Sequence, residues 1–330
     1  MRIGCVQFKP VLGEVALNTA AADAIIEKAN LQNLDLLMFP ELALTGYNHP
    51  SLESIEPYLE PTTSGPSTDY ARRLALHHNC HVSIGYPETT LTSPPKRYNS
   101  VVLLSPTGDV LVNYRKSFLY YTDETWAEEG DGGFYAGKVD RLGKISMGIC
   151  MDINPQKFTA PWDSYEFSNH ALAASSDLII LTMAWLSSPA SDPSSGLSPP
   201  SPPEPSDPSL PNIDTLSYWL ARLKPFIEAP APVPASSPSQ LLSTTESELG
   251  PGTPDDLIIA ICNRAGAETT AQYAGTSTVL SLSRDGKGKV RILGVLGEGV
   301  EEVLVVDTTD KERKGGNGGR WVVSRQNEEP

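Results

Sequence analysis

Residues 143–155, Gly-Lys-Ile-Ser-Met-Gly-Ile-Cys-Met-Asp-Ile-Asn-Pro, suggest both the fold and the chemistry of this chain. Their first half is a short apolar run bounded by polar residues, which predicts a buried strand. The strand ends at Cys150, and the polar residues after it predict a turn. A cysteine at this point can present its sulfur to a pocket, and the Met151 N–H can then face a developing oxyanion. The alternative is that Cys150 serves only in packing.

Strands and helices alternate on both sides of this stretch. Strands are predicted over 2–8, 35–39, 80–86, 100–104, 109–114, 144–149, 177–185, 257–263 and 303–307. Helices are predicted over 15–30, 67–79, 164–175 and 212–229, the last with Asn212 or Asp214 as its N-cap. Turn residues at 105–109 and 284–287 indicate hairpins, whereas the other strands alternate with helices. This mixture predicts an α/β protein with mixed sheets and helices on the sheet faces.

Proline and serine divide the chain into one expected domain and its interruptions. Residues 187–211 contain nine prolines and nine serines, and residues 230–254 are similarly rich in Pro, Ser and Thr. Such composition does not predict a packed core. The remaining ~260 residues fit one domain over residues 1–310 with two insertions, followed by a flexible tail over 311–330.

The formal net charge of −15 excludes some classes of partner. Nucleic acids and anionic membrane surfaces both require a basic face, so neither is expected. No apolar run reaches the length of a membrane span. The four cysteines form no CxxC pair, and His77 and His81 straddle a predicted helix end and strand start, so no metal site is expected. The sequence predicts a reduced, cytoplasmic protein, with a nuclear location also open.

Two charged residues stand out beside predicted strands. Glu41 directly follows the apolar run 36–40, where burial would raise the pKa of its carboxyl group toward the range useful to a general base. Arg115 and Lys116 are neighbours in a strand-like segment, so one side chain should point inward. The alternatives are a loop glutamate bonded to backbone and an edge-strand lysine that opposes aggregation.

Three segments, taken together, resemble the nitrilase, or carbon–nitrogen hydrolase, superfamily. They are Pro-Glu-Leu-Ala-Leu-Thr-Gly-Tyr at 40–47, Tyr-Arg-Lys-Ser-Phe-Leu-Tyr at 114–120 and Gly-Ile-Cys-Met-Asp-Ile-Asn at 148–154. Residues 263–268 and 273–277 are also similar to that family's closing hairpin. The resemblance covers residues 2–186 and 255–307, and it implies a four-layer α-β-β-α sandwich.

The resemblance also implies a mechanism without a metal or organic cofactor. Cys150 would be the nucleophile, Glu41 the general base, and Lys116 with the Met151 N–H the oxyanion ligands. Many members of the family carry a second glutamate between the Lys and the Cys. Glu124, Glu128 and Glu129 compete for that position here, and Glu129 is preferred because it precedes residues 134–137 at nearly the family spacing. The alternative is that all three are solvated loop charges.

Within the superfamily, residues 114–127, 148–155, 158–162 and 182–186 look like the fungal protein N-terminal amidases. This likeness implies deamidation of N-terminal Asn and Gln of proteins or peptides to Asp and Glu, with release of ammonia, as a step that feeds N-degron degradation. Such a substrate carries an α-ammonium group, for which Asp152 is the nearest acidic candidate. The alternative is that Asp152 caps the turn after Cys150. Other candidate lining residues are Tyr47, Asn48, Met151 and Trp185.

Two other functions stay open at this point. The first is a small-molecule ω-amidase, nitrilase or carbamoyl hydrolase of the same superfamily. The second is an adaptor, because Pro199-Pro-Ser-Pro-Pro203 has the PxxP spacing that SH3 and WW domains bind. A homodimer is also expected as one possible assembly, because related folds often dimerise.

Overall fold

The computed structural model describes residues 1–187, 207–229, 256–269 and 271–309, together with the backbone of Val322 and Val323. The two expected insertions fall mostly outside these ranges, and so does the segment Pro199–Pro203. The expectation of one domain over residues 1–310 therefore remains a proposal for the parts of the chain beyond the described residues.

Sixteen strands are present in the described chain. They are β1 (Arg2–Gln7), β2 (Leu36–Met38), β3 (Glu60–Pro61), β4 (His81–Thr89), β5 (Arg97–Leu104), β6 (Val110–Arg115), β7 (Tyr135–Val139), β8 (Gly143–Ile149), β9 (Leu178–Met183), β10 (Asp256–Asn263), β11 (Ala267–Glu268), β12 (Ala271–Gln272), β13 (Thr278–Ser283), β14 (Val290–Val295), β15 (Glu302–Asp307) and β16 (Val322–Val323). The helices are α1 (Val15–Ala29), α2 (Leu52–Ile55), α3 (Pro66–His78), α4 (Glu166–Ala173), α5 (Ile213–Arg222) and α6 (Lys224–Glu228).

Most of these strands form two mixed sheets. The first has the order β15-β1-β2-β4-β5-β6, with β3 beside β4, and the second has the order β16-β14-β13-β10-β9-β8-β7. Strands β1, β2 and β4 are parallel, as are β8, β9 and β10, whereas the hairpins β4-β5, β5-β6 and β13-β14 are antiparallel. The predicted mixture of hairpins and strand–helix units is thus confirmed.

Three apolar clusters show that the sheets and helices form four layers. Leu36 and Met38 of β2 pack between the two sheets against Ile180 of β9 and other strand residues. Leu37, which points to the opposite face of β2, packs with residues of α1 and α3. On the far side of the second sheet, Trp219 packs among residues of α4, α5, α6 and β9. The order of layers is α-β-β-α, as expected.

Some boundaries differ from the sequence-based expectation. The single helix expected over 212–229 is two helices that meet at Leu223, because Pro225 fits the first turn of a new helix but not a helix interior. Asn212 caps α5, since its Oδ1 accepts a hydrogen bond from the Thr215 N–H at 2.9 Å. Within the expected tail, Val322 and Val323 pair with β14. None of the helices in the described ranges has the length and apolar character of a membrane span.

The fold brings the carboxyl ends of several strands together at one edge. Strands β2 and β6 run in the same direction in the first sheet, and β8 and β9 are parallel in the second. The sheets meet there through the Glu41 N–H, which donates to the Met183 carbonyl at 3.3 Å. Side chains that directly follow these strands therefore point into a shared region.

Candidate active site

Cys150 follows β8 directly and begins a short 3₁₀ turn, Cys150–Ile153. Its φ is +40°, a left-handed conformation that is uncommon for a residue with a side chain and is concentrated at functional sites. The residue is partly exposed and lines a cavity of about 250 Å³, whereas the other three cysteines, Cys5, Cys80 and Cys262, are fully buried. Cys150 is therefore the cysteine that a small molecule can reach.

The cavity wall is largely aromatic. The rings that line it belong to Tyr47, Tyr120, Phe158, Trp185 and Tyr218. Met151 also lines it, so three of the five residues predicted to bind substrate (Tyr47, Met151 and Trp185) are at the cavity. Asp214, in the first turn of α5, supplies the one charged side chain among the described lining residues.

Lys116 and Glu41 form an ion pair with fully buried side chains beside this cavity. Lys116 Nζ lies 2.6 Å from Glu41 Oε1 and 2.6 Å from Asp123 Oδ2. The Asn99 side-chain amide on β5 donates to both acids, at 2.8 Å to Glu41 Oε1 and 2.9 Å to Asp123 Oδ1. Within the described residues no donor reaches Glu41 Oε2. One oxygen of a buried carboxylate thus remains available to accept a proton.

A glycine permits this arrangement. A Cβ at Gly85 on β4 would lie 2.7 Å from the Glu41 Cα, closer than real contacts allow. The Ala43 N–H also donates to the Gly85 carbonyl at 3.1 Å. The segment after β2 therefore packs directly on β4, which fixes the Glu41 side chain between the sheets.

The charges of the cluster act on one another and on the thiol. Burial raises the pKa of Glu41, and the positive charge of Lys116 only partly opposes this effect. Burial alone would lower the pKa of Lys116, but the negative charges of Asp123 and Glu41 raise it, so the ammonium form persists. Burial and the charge of Glu41 raise the pKa of Cys150, while Lys116 and a hydrogen bond from the Ala184 backbone lower it. The raised pKa of Cys150 favours its thiol form, and a thiol must lose its proton before the sulfur can attack.

The structure places Glu129, the residue preferred as the second acid, away from the Lys116 ammonium group. Glu129 is exposed, as are Glu124 and Glu128. The Gly130 N–H donates to the Lys116 carbonyl at 2.8 Å, so the segment follows the backbone of Lys116 and not its ammonium group. The acid that contacts Lys116 is Asp123, which lies seven residues after it in a short 3₁₀ turn.

Asp152, the candidate for the substrate's ammonium group, is instead buried and hydrogen-bonded within the protein. Its buried carboxylate accepts hydrogen bonds from the Ile149 N–H at 2.7 Å, the Phe118 N–H at 2.9 Å and the Tyr114 hydroxyl at 2.7 Å. Burial raises the pKa of Asp152 to about 6, although these donors oppose the shift. Asp152 thereby joins the turn after Cys150 to the segment after Lys116. These contacts help to fix how far apart the Cys150 and Lys116 side chains lie.

Asn48 does not line the cavity, because its side-chain amide donates to Thr269 Oγ1 at 2.8 Å. The backbone beside it is held by Glu268, which accepts from the N–H groups of Tyr47 and Asn48 at 3.2 and 2.8 Å. Glu268 is itself paired with buried Arg264 and hydrogen-bonded to the Tyr273 hydroxyl at 2.7 Å. Glu268 and its partners therefore position the Tyr47 ring, whose centroid lies 5.5 Å from Lys116 Nζ.

Sequence reasoning missed three polar residues of the site. Asp123 carried a weak signal, since it lies among three glutamates in the segment after Lys116. Asn99 carried no such signal, because the sequence does not show which buried groups an asparagine inside a strand faces. Asp214 was predicted only as a possible helix cap, and its place at the cavity depends on how α5 packs against the second sheet.

Known proteins resemble this chain along most of its length. The carbon–nitrogen hydrolase family matches residues 2–160. The protein N-terminal amidase of Schizosaccharomyces pombe is 35% identical, and the alignment covers 94% of this chain and 100% of the relative.

Solved structures agree with this match. An N-terminal amidase with an Asn-Glu-Ala peptide superimposes with a TM-score of 0.74 at 25% identity, over 92% of this chain and 96% of that one. An N-terminal amidase structure with a Gln-Gly peptide gives the same values. These likenesses confirm the predicted fold and the predicted superfamily. The chain belongs to the carbon–nitrogen hydrolase family.

Proposed function

We propose that this protein is an amidohydrolase that converts N-terminal Asn and Gln residues of proteins or peptides to Asp and Glu. The observation that carries the proposal is the Lys116–Glu41 pair, which is buried beside the accessible Cys150 and leaves one carboxylate oxygen unpaired. The reaction class follows from the family. The substrate class is that of the N-terminal amidases it resembles, whose solved structures contain Asn and Gln peptides.

The first half of the proposed reaction forms a thioester. Glu41 Oε2 accepts the thiol proton, and the Cys150 thiolate attacks the carbon of the side-chain carboxamide. The Lys116 ammonium group and the Met151 N–H stabilise the tetrahedral oxyanion, and loss of one such donor typically costs about 3 kcal/mol of transition-state stabilisation. Glu41 then returns its proton to the nitrogen, the C–N bond breaks and ammonia leaves.

The second half hydrolyses the thioester. Glu41 removes a proton from water, and the resulting hydroxide attacks the thioester carbon. The oxyanion again faces Lys116. When the tetrahedral intermediate collapses, the C–S bond breaks and the product carboxyl group forms. The proton held by Glu41 returns to the Cys150 sulfur, which restores the resting thiol.

We assign to Asp214 the recognition of the substrate's free N-terminus. An N-terminal Asn or Gln carries an α-ammonium group a few bonds away from the reacting amide. Asp214 lines the cavity and is exposed, so its carboxylate can pair with that cation. It therefore takes the role that the sequence suggested for Asp152.

The direct test is ammonia release from peptides that begin with Asn or Gln. The wild-type protein should release one ammonia per peptide, and the Cys150→Ala variant should release none above background. Free amides, nitriles and ureido acids tested in parallel address the small-molecule alternative. If they react and the peptides do not, the proposed substrate class is wrong.

The role of Asp214 has a separate test. Asp214→Asn should raise KM about tenfold or more for peptides with a free α-amine, because a charge-assisted hydrogen bond contributes roughly 1.5–3 kcal/mol. N-acetylated peptides should be poor substrates of both proteins, with no difference between them. Asp69→Asn is the matched control, since Asp69 is an exposed acid in the first turn of α3 on the other side of the sandwich. An unchanged KM in Asp214→Asn would contradict this role.

We also propose a cytoplasmic location, because Cys5, Cys80, Cys150 and Cys262 are all free, as is typical of proteins in reducing compartments. The possible SH3 or WW contact and the possible homodimer stay predictions. The segment Pro199–Pro203, on which the SH3 or WW prediction rests, lies outside the described residues.

A further inference from the structure

We propose that an aromatic shelf at the mouth of the Cys150 cavity binds the side chain of the substrate's second residue. The shelf consists of Tyr121, Phe158 and Trp162. This inference rests on the proposed function, and it identifies a specificity site that the deamidation chemistry itself does not require. The ligand is an apolar side chain directly after the N-terminal Asn or Gln.

Each ring of the shelf either belongs to the cavity wall or contacts it. Phe158 belongs to the cavity wall, and its ring centroid lies 6.1 Å from that of Tyr121. Trp162 stands edge-on to the wall residue Tyr218, with ring centroids 5.4 Å apart. A chain that leaves the cavity on this side would therefore pass directly over the shelf.

The three rings of the shelf are unusually exposed. Tyr121 is 52% exposed, and Phe158 and Trp162 are each 46% exposed. A single exposed aromatic residue is ordinary, but neighbouring exposed rings beside a cavity indicate an interaction site. Because burying these rings would be favourable, their exposure in the described chain leaves a surface suited to an apolar partner group.

The loop that carries Phe158 and Trp162 is held in a strained conformation. Lys157 and Phe158 have φ angles of +53° and +54°, in the left-handed region that residues with side chains rarely adopt. Such strain persists only where surrounding contacts impose it, and it is frequent at ligand-binding segments.

A buried arginine anchors this loop from below. Arg222 Nε donates to the Ile153 carbonyl at 2.8 Å, and its guanidinium group also donates to the Trp162 carbonyl. The guanidinium carbon lies 4.6 Å from the centroid of the Trp162 ring. The Trp162 part of the shelf is therefore pre-organised, which lowers the entropy cost of ordering it when a ligand binds.

The size of the cavity indicates which substrate residue reaches the shelf. Its volume of about 250 Å³ lies below the ~300–1,000 Å³ of sites that hold drug-sized ligands. A space of this size holds the N-terminal residue with its reacting amide, which brings the next residue toward the rim. An apolar second side chain would meet the aromatic rings there.

The test compares peptides Asn-Leu and Asn-Phe with Asn-Gly, each extended by the same polar residues. In the wild-type protein kcat/KM should be roughly tenfold higher for the bulky second residues, mainly through KM, as expected for partial burial of an apolar side chain. In Trp162→Ala and Phe158→Ala that ratio should fall toward one. Leu76→Ala, which changes an exposed apolar residue on α3, should keep the wild-type ratio.

The outcomes separate this inference from the proposed function. Equal kcat/KM for all second residues in the wild-type protein would overturn the shelf and leave the deamidation intact. A ratio that persists in both alanine variants would also overturn it. Absence of ammonia from every Asn peptide would instead contradict the proposed function. Thermal unfolding of each variant shows whether a loss of turnover reflects loss of the fold.

Discussion

Two neighbouring residues at the end of β6, Arg115 and Lys116, each pair with a buried carboxylate. The two carboxylates differ in how many of their oxygens accept hydrogen bonds. Arg115 pairs with Glu88, whose oxygens also accept from the Thr62 and Ser100 hydroxyls at 2.6 Å each and from Asn113 at 2.9 Å. Lys116 pairs with Glu41, which keeps one oxygen without a donor among the described residues. Both carboxylates are fully buried.

The electrostatics follow from this difference in hydrogen bonding. Burial raises the pKa of Glu88, but its hydrogen bonds with Arg115, Ser100 and Thr62 outweigh burial and lower it overall. The pKa of Glu41 is raised, because burial exceeds the effect of Lys116 and the charge of Asp123 adds to it. Glu88 is therefore a fixed anion that holds the sheet, whereas Glu41 has the free oxygen and the basicity that proton transfer requires.

Removal of the Glu41 charge should cause the largest loss of activity. Glu41→Gln keeps the size of the side chain but cannot accept the thiol proton, so kcat/KM should fall about 10³-fold, within the range for a lost general base. Ammonia release from an Asn peptide measures this effect, and thermal unfolding should show that the fold persists. Activity within a fewfold of wild type would contradict the assigned role.

The matching change at Glu88 should affect stability instead. In Glu88→Gln, Arg115 loses its buried anion, and the free energy of unfolding should fall by about 2 kcal/mol. That is less than the 3–5 kcal/mol typical of a fully buried pair, since the Arg115 side chain is 24% exposed. Denaturant unfolding measures the loss, and kcat/KM per folded molecule should stay near the wild-type value. A large fall in turnover without a fall in stability would erase the distinction between the two pairs.

Loss of the Asp123 charge should have an intermediate effect on the reaction. Asp123→Asn leaves Lys116 with Glu41 as its only carboxylate in the described cluster, so the ammonium group is less precisely held. We expect kcat to fall about 10- to 100-fold with little change in KM, because positioning in the transition state is affected more than binding. Glu129→Gln is the matched control, as Glu129 is exposed and outside the cluster. An equal effect of both substitutions would contradict the positioning role.

The smallest expected effect is on the pH dependence of stability. The folded-state pKa of Glu88 lies below its ordinary value of 4.5, so the pair contributes stability that is present above pH 4.5 and is lost as the pH falls through the folded-state value. The stability difference between wild type and Glu88→Gln should thus be largest near neutral pH and shrink in acid. A stability difference that grows below pH 4.5 would show that folding does not lower the pKa of Glu88.

The strand ends and the nucleophile could be predicted because their signals are local. The apolar run before Glu41 and the strand before Cys150 both stop at turn residues, and the order of the three motifs identifies the family. The opposite directions of Arg115 and Lys116 also follow from strand geometry.

The contacts between distant segments could not be predicted in the same way. Asp152 has suitable chemistry for an ammonium group, but three backbone N–H groups and Tyr114 occupy its oxygens. Glu129 has suitable spacing, but the backbone of its segment turns it outward. Asp214 reaches the cavity only because α5 packs on the second sheet. Each outcome depends on competition among buried polar groups, which a single sequence does not encode in a readable pattern.

The measurement that tests the central claim most directly is covalent labelling by a substrate-like peptide. The probe is a peptide whose N-terminal residue is a Gln analogue with a diazoketone in place of the amide. The diazo carbon takes up the proton that the Cys150 thiol gives to Glu41, and the thiolate then displaces N₂ and forms a stable C–S bond. Peptide mass mapping should find the label on Cys150, at a rate that falls in Glu41→Gln and remains unchanged in Glu88→Gln. A label on Cys80 or Cys262, or equal rates in both variants, would contradict the claim that the unpaired Glu41 oxygen activates Cys150.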